Sequence, residues 1–246
     1  MHSDDSNASW RELWNERGRA IRDTLGESTP SGSVFPFEWT DRSLPGACAI
    51  VFAPTQKRPD WMTMSLGLSQ PLTREEKAGR WEYCVRSARN EPWVRQIIYD
   101  LLTFHLQEDG QVTRGMYLPI VFFKDRVDEL CAGLSPEREG LNVVGEMCGI
   151  YLWDDSEGIE FRVSTGTFHL ITAIGVTHDE DLLAQATTPP HLLLLLAEMG
   201  VSQRMDPLRE CVLKSPGAMT KWRTIQGMHH NDVVSRLGQR LGRRPR

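Results

Sequence analysis

The chain has 246 residues, with 28 basic against 33 acidic side chains, a formal charge of −5, and 40% hydrophobic and 25% charged content. These figures exclude a disordered, collagen-like or coiled-coil chain and describe one medium globular domain or two small ones. No apolar run approaches the ~18 residues of a membrane span, and Asp4 and Asp5 stand where a signal peptide would be basic and then apolar, so a soluble cytoplasmic protein is expected, with no membrane contact.

Ser9 and Glu12 have capping-box spacing, and Trp10, Leu13, Trp14, Ile21 and Leu25 recur at helical intervals before Gly26, which predicts a helix over 10–25. The stretch from Glu27 to Pro45 is rich in Ser, Gly, Thr and Pro but carries Val34, Phe35, Phe37 and Trp39, so a loop pinned to the body, with a short edge strand, is expected. Ala47 to Ala53 is a continuous apolar segment closed by Pro54. In Trp61 to Leu68 the residues Met62, Met64, Leu66 and Leu68 alternate with Thr63, Ser65 and Gly67, the period of a half-buried strand. A third strand over 80–87 places Trp81, Tyr83 and Val85 on one face and Glu82, Cys84 and Arg86 on the other, completing an antiparallel meander.

Asn90 and Pro92 open an amphipathic helix whose stripe is Val94, Ile97, Ile98, Leu101 and Leu102, with His105 packed at its end rather than ligating a metal. Strand signals follow at 117–123, 142–153, 159–163 and 168–176, with Asp154 to Gly158 as a solvated hairpin turn between two of them. Thr177 and Glu180 form a second capping box, and Thr188 caps a helix with Pro189 and Pro190 in its first turn and Gly200 after its end. Beyond Pro216 the periodicity weakens among arginines and glycines, so a frayed basic tail is expected. The result is an α+β fold, a mostly antiparallel β-sheet with helices packed on it. Its expected parts are an N-terminal helix and linker over 1–33, a body over 34–216 and the tail over 217–246.

Five cysteines without a CxxC pair read as reduced, buried thiols. The sequence carries none of the phosphate-loop, dinucleotide, metalloprotease, nucleophile-elbow or EF-hand signatures, and no cofactor or metal is expected. His178, Asp179, Glu180 and Asp181 are consecutive in a first helical turn, where carboxylates favour the helix N-terminus and cannot share one ion. His229 and His230 make a poor metal site. The last 26 residues, Lys221 to Arg246, carry +6 and leave −11 on the first 220. Arg236, Arg240, Arg243, Arg244 and Arg246, with Leu237 and Leu241 between them, could touch nucleic acid, or lie on the acidic body. Nucleic acid is otherwise not an expected partner.

The phrase Trp61-Met-Thr-Met-Ser-Leu-Gly-Leu-Ser69, the strand Trp81-Glu-Tyr-Cys-Val-Arg86, and Pro92-Trp93 at a helix start resemble the suppressor of fused domain family. Members show a strand ending in a T-x-G-x-S phrase, an E-L-x-x-R strand, and a Trp heading a helix. The later run from Phe168 to Leu182 resembles the family's apolar strand entering T-x-x-E and a helix. The likeness spans about residues 34–212. Ser65 replaces the phrase's threonine, and Tyr83-Cys84 replace the aliphatic part of the next strand.

The resemblance implies a non-catalytic binding domain. Animal relatives restrain zinc-finger transcription factors of the Hedgehog pathway by clamping an extended peptide between domains. Bacterial single-domain relatives are predicted immunity proteins that neutralise polymorphic toxins, which makes a cationic toxin domain the expected protein partner of this acidic chain. The alternatives are an enzyme with a spatially assembled site, or a regulator that binds nucleic acid through the tail. The partner-binding edge is assigned to Trp153, Asp154, Asp155 and Glu157, a carboxylate-bearing turn beside an apolar anchor.

Overall fold

The computed structural model describes residues 3–35, 46–69, 81–107, 114–119, 147–201, 203–207 and 209–241. In chain order the elements are α1 (Ser3–Leu25), β1 (Ser28–Phe35), β2 (Ala47–Phe52), β3 (Trp61–Leu66), β4 (Trp81–Ser87), α2 (Pro92–Gln107), β5 (Tyr117–Pro119), β6 (Met147–Asp154), β7 (Glu160–Val163), β8 (Gly166–Thr177), α3 (His178–Ala186), α4 (Pro189–Glu198), β9 (Arg204–Met205), a 3-10 turn (Val212–Lys214), α5 (Ala218–Gln226) and α6 (His230–Arg240). The class is α+β, and the pairings β1–β2, β2–β3, β3–β4, β5–β6 and β7–β8 are all antiparallel. The chain forms two compact units, Met1–Gln111 with Ile159–Ile171, and Val112–Gly158 with Thr172–Arg246. None of the helices among the described residues is long and apolar enough to cross a membrane.

The first unit is the expected meander with one strand added. Strands β1, β2, β3 and β4 lie in that order, so the short edge strand expected within 27–45 is β1, eight residues long, its register slipping between Ser31 and Phe35. Phe37 and Trp39 lie outside the described residues. Helix α1 begins at Ser3, which puts Ser9 inside it rather than at its cap; no Gly or Pro interrupts Ser3 to Ser9. It ends where Gly26, at φ +90°, turns its N–H back to Arg22 O at 2.8 Å.

Strands β3 and β4 are buried on both faces rather than one: Thr63 and Ser65 are as enclosed as Met62 and Met64. Ile21 and Leu25 of α1 and Phe161 and Phe168 of the β7–β8 hairpin pack with Ile50, Phe52, Met62, Met64 and Cys84. Helix α2 packs on β2, β3 and β4, with Val94, Ile97, Ile98, Leu101 and Leu102 all buried. Two covering layers therefore override the alternation, which marks only which side each residue faces. The Cys48 thiol, pushed up to about 11 by burial and then by the charge of Glu82, is protonated at neutral pH.

In the second unit β6 lies between β5 and β8. Gly149 on β6 is required by close approach, since any side chain there would run into the Tyr117 ring. Helix α3 starts at Thr177, whose N–H donates to Glu180 Oε2 at 2.9 Å. Helix α4 has N-cap Thr188 followed by Pro189, and Gly200 at φ +78° follows its end.

Two expectations fail here. Asp154 to Gly158 does not close a hairpin between β6 and β7: β7 pairs with β8 through Val163↔Gly166. Gly166, at φ +130°, supplies the tighter turn. The frayed tail is also wrong, because residues 218–240 form α5 and α6, and Trp222, Ile225, Val233 and Leu237 bury themselves with Leu192 to Leu196 of α4. Arg243, Arg244 and Arg246 lie outside the described residues.

Candidate functional site

The end of β6 carries the residues singled out in the sequence, and it turns most of them inward. Trp153 and Asp154 are each 6% exposed and Asp155 is fully buried, whereas Glu157 is exposed. The expected solvated carboxylate turn is therefore corrected: Asp155 Oδ1 accepts the Thr172 hydroxyl at 3.2 Å and Oδ2 accepts the Glu157 N–H at 3.0 Å. Hydrogen bonds from its own turn and from a neighbouring strand offset the cost of taking such a carboxylate out of water. Gln203 fixes the same turn from outside, its Nε2 donating to Asp154 O at 2.8 Å and its Oε1 accepting the Ser156 N–H at 2.5 Å.

Arg114, just before β5, completes the group. Its guanidinium lies over the Trp153 ring, with Cζ 4.3 Å from the centroid, and its NH2 meets Asp154 Oδ2 at 3.0 Å. The arginine side chain is 48% exposed against 9% for that of Asp154. The Gly115 N–H donates to Leu152 O at 2.8 Å and Met116 O accepts the Leu152 N–H at 3.0 Å, so the backbone that presents Arg114 is tied to β6. The result is an exposed cation held on its face by an indole and on one edge by a carboxylate. Behind Trp153 a cavity of about 20 Å³ lined by Ile174, Leu193, Leu196, Val201 and Leu237 is too small for a ligand.

Two other charge clusters are internal. In the second unit Arg209 grips Glu180 bidentately, NH1 to Oε1 at 2.6 Å and NH2 to Oε2 at 2.5 Å, and also reaches Gly175 O at 2.9 Å. The Val212 N–H donates to Glu180 Oε1 at 2.8 Å. Burial pushes the Glu180 carboxyl up, but the Arg209 hydrogen bonds and charge, with the Val212 and Thr177 N–H groups, outweigh it and hold the group below its ordinary 4.5. Glu180 is thus more than a cap: it ties the start of α3 to the segment before the 3-10 turn. Asp181 beside it accepts from Tyr151 OH at 2.8 Å and from Gln185 Nε2 at 2.7 Å, while His178 and Asp179 point to solvent.

Substituting Arg209 by Met should strand a buried carboxylate and lower stability by about 3–5 kcal/mol. Because the folded carboxyl is depressed, this stabilisation is complete above the ordinary 4.5 and is lost as pH falls through the folded value. Urea unfolding of wild type and Arg209→Met at pH 7 and at about pH 3 should therefore show the gap closing in acid; an equal gap at both pH values would assign the loss to packing.

In the first unit Glu82 is fully buried and accepts five hydrogen bonds, from Ser65 Oγ, the Gly67, Leu68 and Ser69 N–H groups and Ser69 Oγ, at 2.6 to 3.3 Å. Arg17 of α1, 1% exposed, donates to Ser69 O from Nε at 3.1 Å and from NH2 at 2.8 Å, and to Thr165 Oγ1 at 3.0 Å. The Ser65-x-Gly67-x-Ser69 phrase thus closes its donors on the glutamate of the next strand. His105 shares a hydrogen bond with Tyr83 OH at 3.2 Å and burial holds it below its ordinary value, as fits a packed, neutral histidine. Arg236 pairs with Glu198 at 2.5 Å, so this tail arginine lies on the protein's own acidic surface. His229 precedes α6, and the His230 ring is 6.4 Å from that of His191. Among the described residues no group of three or more His, Cys, Asp or Glu could hold a metal ion.

Sequence reasoning singled out Trp153 and Asp154 as part of an exposed edge, whereas both are buried, and it gave no sign of Arg114, Thr172 and Gln203, which no local pattern marks: one sits in an aperiodic connection, the others are single polar residues in a strand and a loop.

Neither a family model nor a curated protein sequence matches the chain. Solved structures do. A protein assigned as a suppressor-of-fused homolog, from Neisseria gonorrhoeae FA 1090, superimposes with a TM-score of 0.56 at 11% identity, over 83% of this chain and 99% of its own. The fold is that of a suppressor-of-fused domain. A chain from the crystal structure of the Sufu–Fu complex matches with a TM-score of 0.59 at 14% identity, over 89% of this chain and 97% of that one. Drosophila Suppressor of Fused matches with a TM-score of 0.54 at 14% identity, over 86% of this chain and 53% of that one. The Glu82 cluster gives the resemblance in the sequence its physical content, since the phrase and strand that carry it are the two sides of one buried hydrogen-bond network.

Proposed function

We propose that this suppressor-of-fused-like chain is a protein-binding domain of the cytoplasm that acts by stoichiometric association rather than turnover, as an immunity protein that neutralises a cationic toxin domain. The observation that carries the binding role is the match, over nearly the whole of both chains, to a chain of the Sufu–Fu complex. The internal chemistry is consistent with it. Glu82, Asp155 and Glu180 all direct their carboxylate oxygens at donors within the fold, which makes them structural rather than poised acids or bases. The charge of −5 favours capture of a basic partner by long-range attraction.

We assign the partner-facing edge to the end of β6, where Glu157 and Arg114 reach solvent beside Trp153. A toxin gene is expected next to that of this chain; co-expression with its toxin domain should restore growth, and the purified pair should elute as one equimolar complex whose association slows as salt rises past the ~10 Å screening length of 0.1 M. Glu157→Gln, at an exposed position, should change association more than dissociation. Toxicity unrelieved by a well-expressed chain would end the immunity role, and substrate turnover by the purified chain alone would end the binding role itself.

A further inference from the structure

The geometry points to Arg114 as a carboxylate-recognition site, through which the domain grips an acidic group of its protein partner. This inference rests on the binding role proposed above and gives it a specific contact chemistry.

An arginine on a surface ordinarily samples many rotamers, and binding must freeze them. Arg114 is held at two points. Its face is stacked on Trp153, which is itself only 6% exposed, and one terminal nitrogen is fixed by Asp154 Oδ2 at 3.0 Å. The carboxylate that does the fixing is anchored through its own backbone, Asp154 O accepting from Gln203 Nε2 at 2.8 Å. A guanidinium has five N–H donors in a planar fork. Apart from the bond to Asp154, those of Arg114 meet no partner among the described residues, and nearly half of the side chain faces solvent. What remains is a rigid, outward donor edge of the shape that a planar carboxylate matches with two parallel hydrogen bonds.

The charge surroundings select the ligand. Asp154 already neutralises the cation, and Asp155 and the exposed Glu157 follow it in the same turn. A phosphate dianion would bring its second charge against the Asp154 carboxylate on the same guanidinium, whereas a singly charged carboxylate takes the free edge with less repulsion. A partner of basic net charge can present such a group among its lysines and arginines.

Arginine side-chain Nε–H resonances of the full-length ¹⁵N-labelled chain provide the test. The probes are acetyl-Gly-Glu-Gly-amide, its Gln counterpart, acetyl-Gly-Gly-Gly with a free C-terminus, and inorganic phosphate. The Arg114 resonance, identified by its loss in Arg114→Lys, should shift saturably with the carboxylate peptides and not with the Gln peptide. Tighter binding of the Glu peptide assigns the group to an internal acidic side chain, and tighter binding of the free C-terminus assigns it to a chain end. The Trp153 indole N–H, followed in Arg114→Lys, should report affinity about tenfold weaker, because an ammonium cannot reproduce the planar fork; an unchanged melting temperature shows that the variant is folded. The inference is overturned if Arg114 responds no more than the exposed Arg240, if phosphate outcompetes the carboxylates, or if Arg114→Lys binds equally well. A chain that captures a protein partner while Arg114 ignores carboxylates loses this contact alone. Carboxylate binding without any protein partner would instead undo the binding role and leave the site.

Discussion

Deleting Lys221 to Arg246 is expected to abolish cooperative folding of the second unit. The deletion removes Trp222, Ile225, Val233 and Leu237, each 3% exposed or less and packed against the five consecutive leucines of α4. At about 1.5–3 kcal/mol for each buried side chain, the loss is roughly 6–12 kcal/mol, of the order of a whole domain's stability of about 5–15 kcal/mol. It also uncovers part of Leu192 to Leu196, which α5 and α6 help to bury. The Arg236–Glu198 pair and the Lys221 Nζ bond to Glu198 O at 2.6 Å go with it, but those exposed contacts add little. Insoluble protein, or soluble protein with exposed apolar surface and no sharp melting transition, is the expected outcome. Met219→Ser, at a position 44% exposed on the same helix, should leave the melting temperature nearly unchanged. A truncated chain melting cooperatively within a few degrees of the full chain would show that α5 and α6 do not support the core.

That segment also shows where sequence reasoning ran out. Helix α5 offers three buried apolar residues, Ala218, Trp222 and Ile225, and α6 two, Val233 and Leu237, among polar residues and the glycines Gly227 and Gly238. A stripe that narrow reads as a helix only once its partner surface is known. Helix α2, with five stripe residues, was legible by itself, and so were β2, β3 and β4, because strong β formers and a turn at each end leave few alternatives. The hairpin error has the opposite cause: Asp, Ser and Gly in 154–158 are good turn residues, but local chemistry says only that the chain turns and cannot say which strand it pairs with next. The candidate site was half legible. Trp153 reads in the sequence as an exposed apolar anchor and is instead buried in the core, while the carboxylates beside it are acceptors for Thr172, Glu157 and Arg114, and composition cannot separate a buried acceptor from an exposed charge.

The Glu82 network should make Glu82→Gln one of the most damaging isosteric changes in the first unit. All five donors around the carboxylate point N–H or O–H at oxygen, and the glutamine amide must turn an NH₂ toward at least some of them, leaving buried donors opposed. Arg17 meanwhile loses the charge that favours its ionised form against burial. Breaking a buried charged network in this way costs about 3–5 kcal/mol, which urea unfolding would register as a large fall in midpoint with little change in slope. The hydroxyl of Ser65 is used twice, donating to Glu82 Oε2 at 2.6 Å and accepting the Tyr83 N–H at 2.9 Å. Threonine, which the resembling family carries at this place, keeps that hydroxyl, so Ser65→Thr should cost little where the methyl is accommodated, while Ser65→Ala should lose both bonds. Arg17→Met combined with Glu82→Gln should destabilise less than the two singles together, because each single leaves the other charge without its counterpart. Strict additivity of the pair, or a Glu82→Gln midpoint equal to wild type, would mean that the loop after β3 holds its conformation without the carboxylate, and that the phrase and the glutamate share a place in the fold without depending on one another.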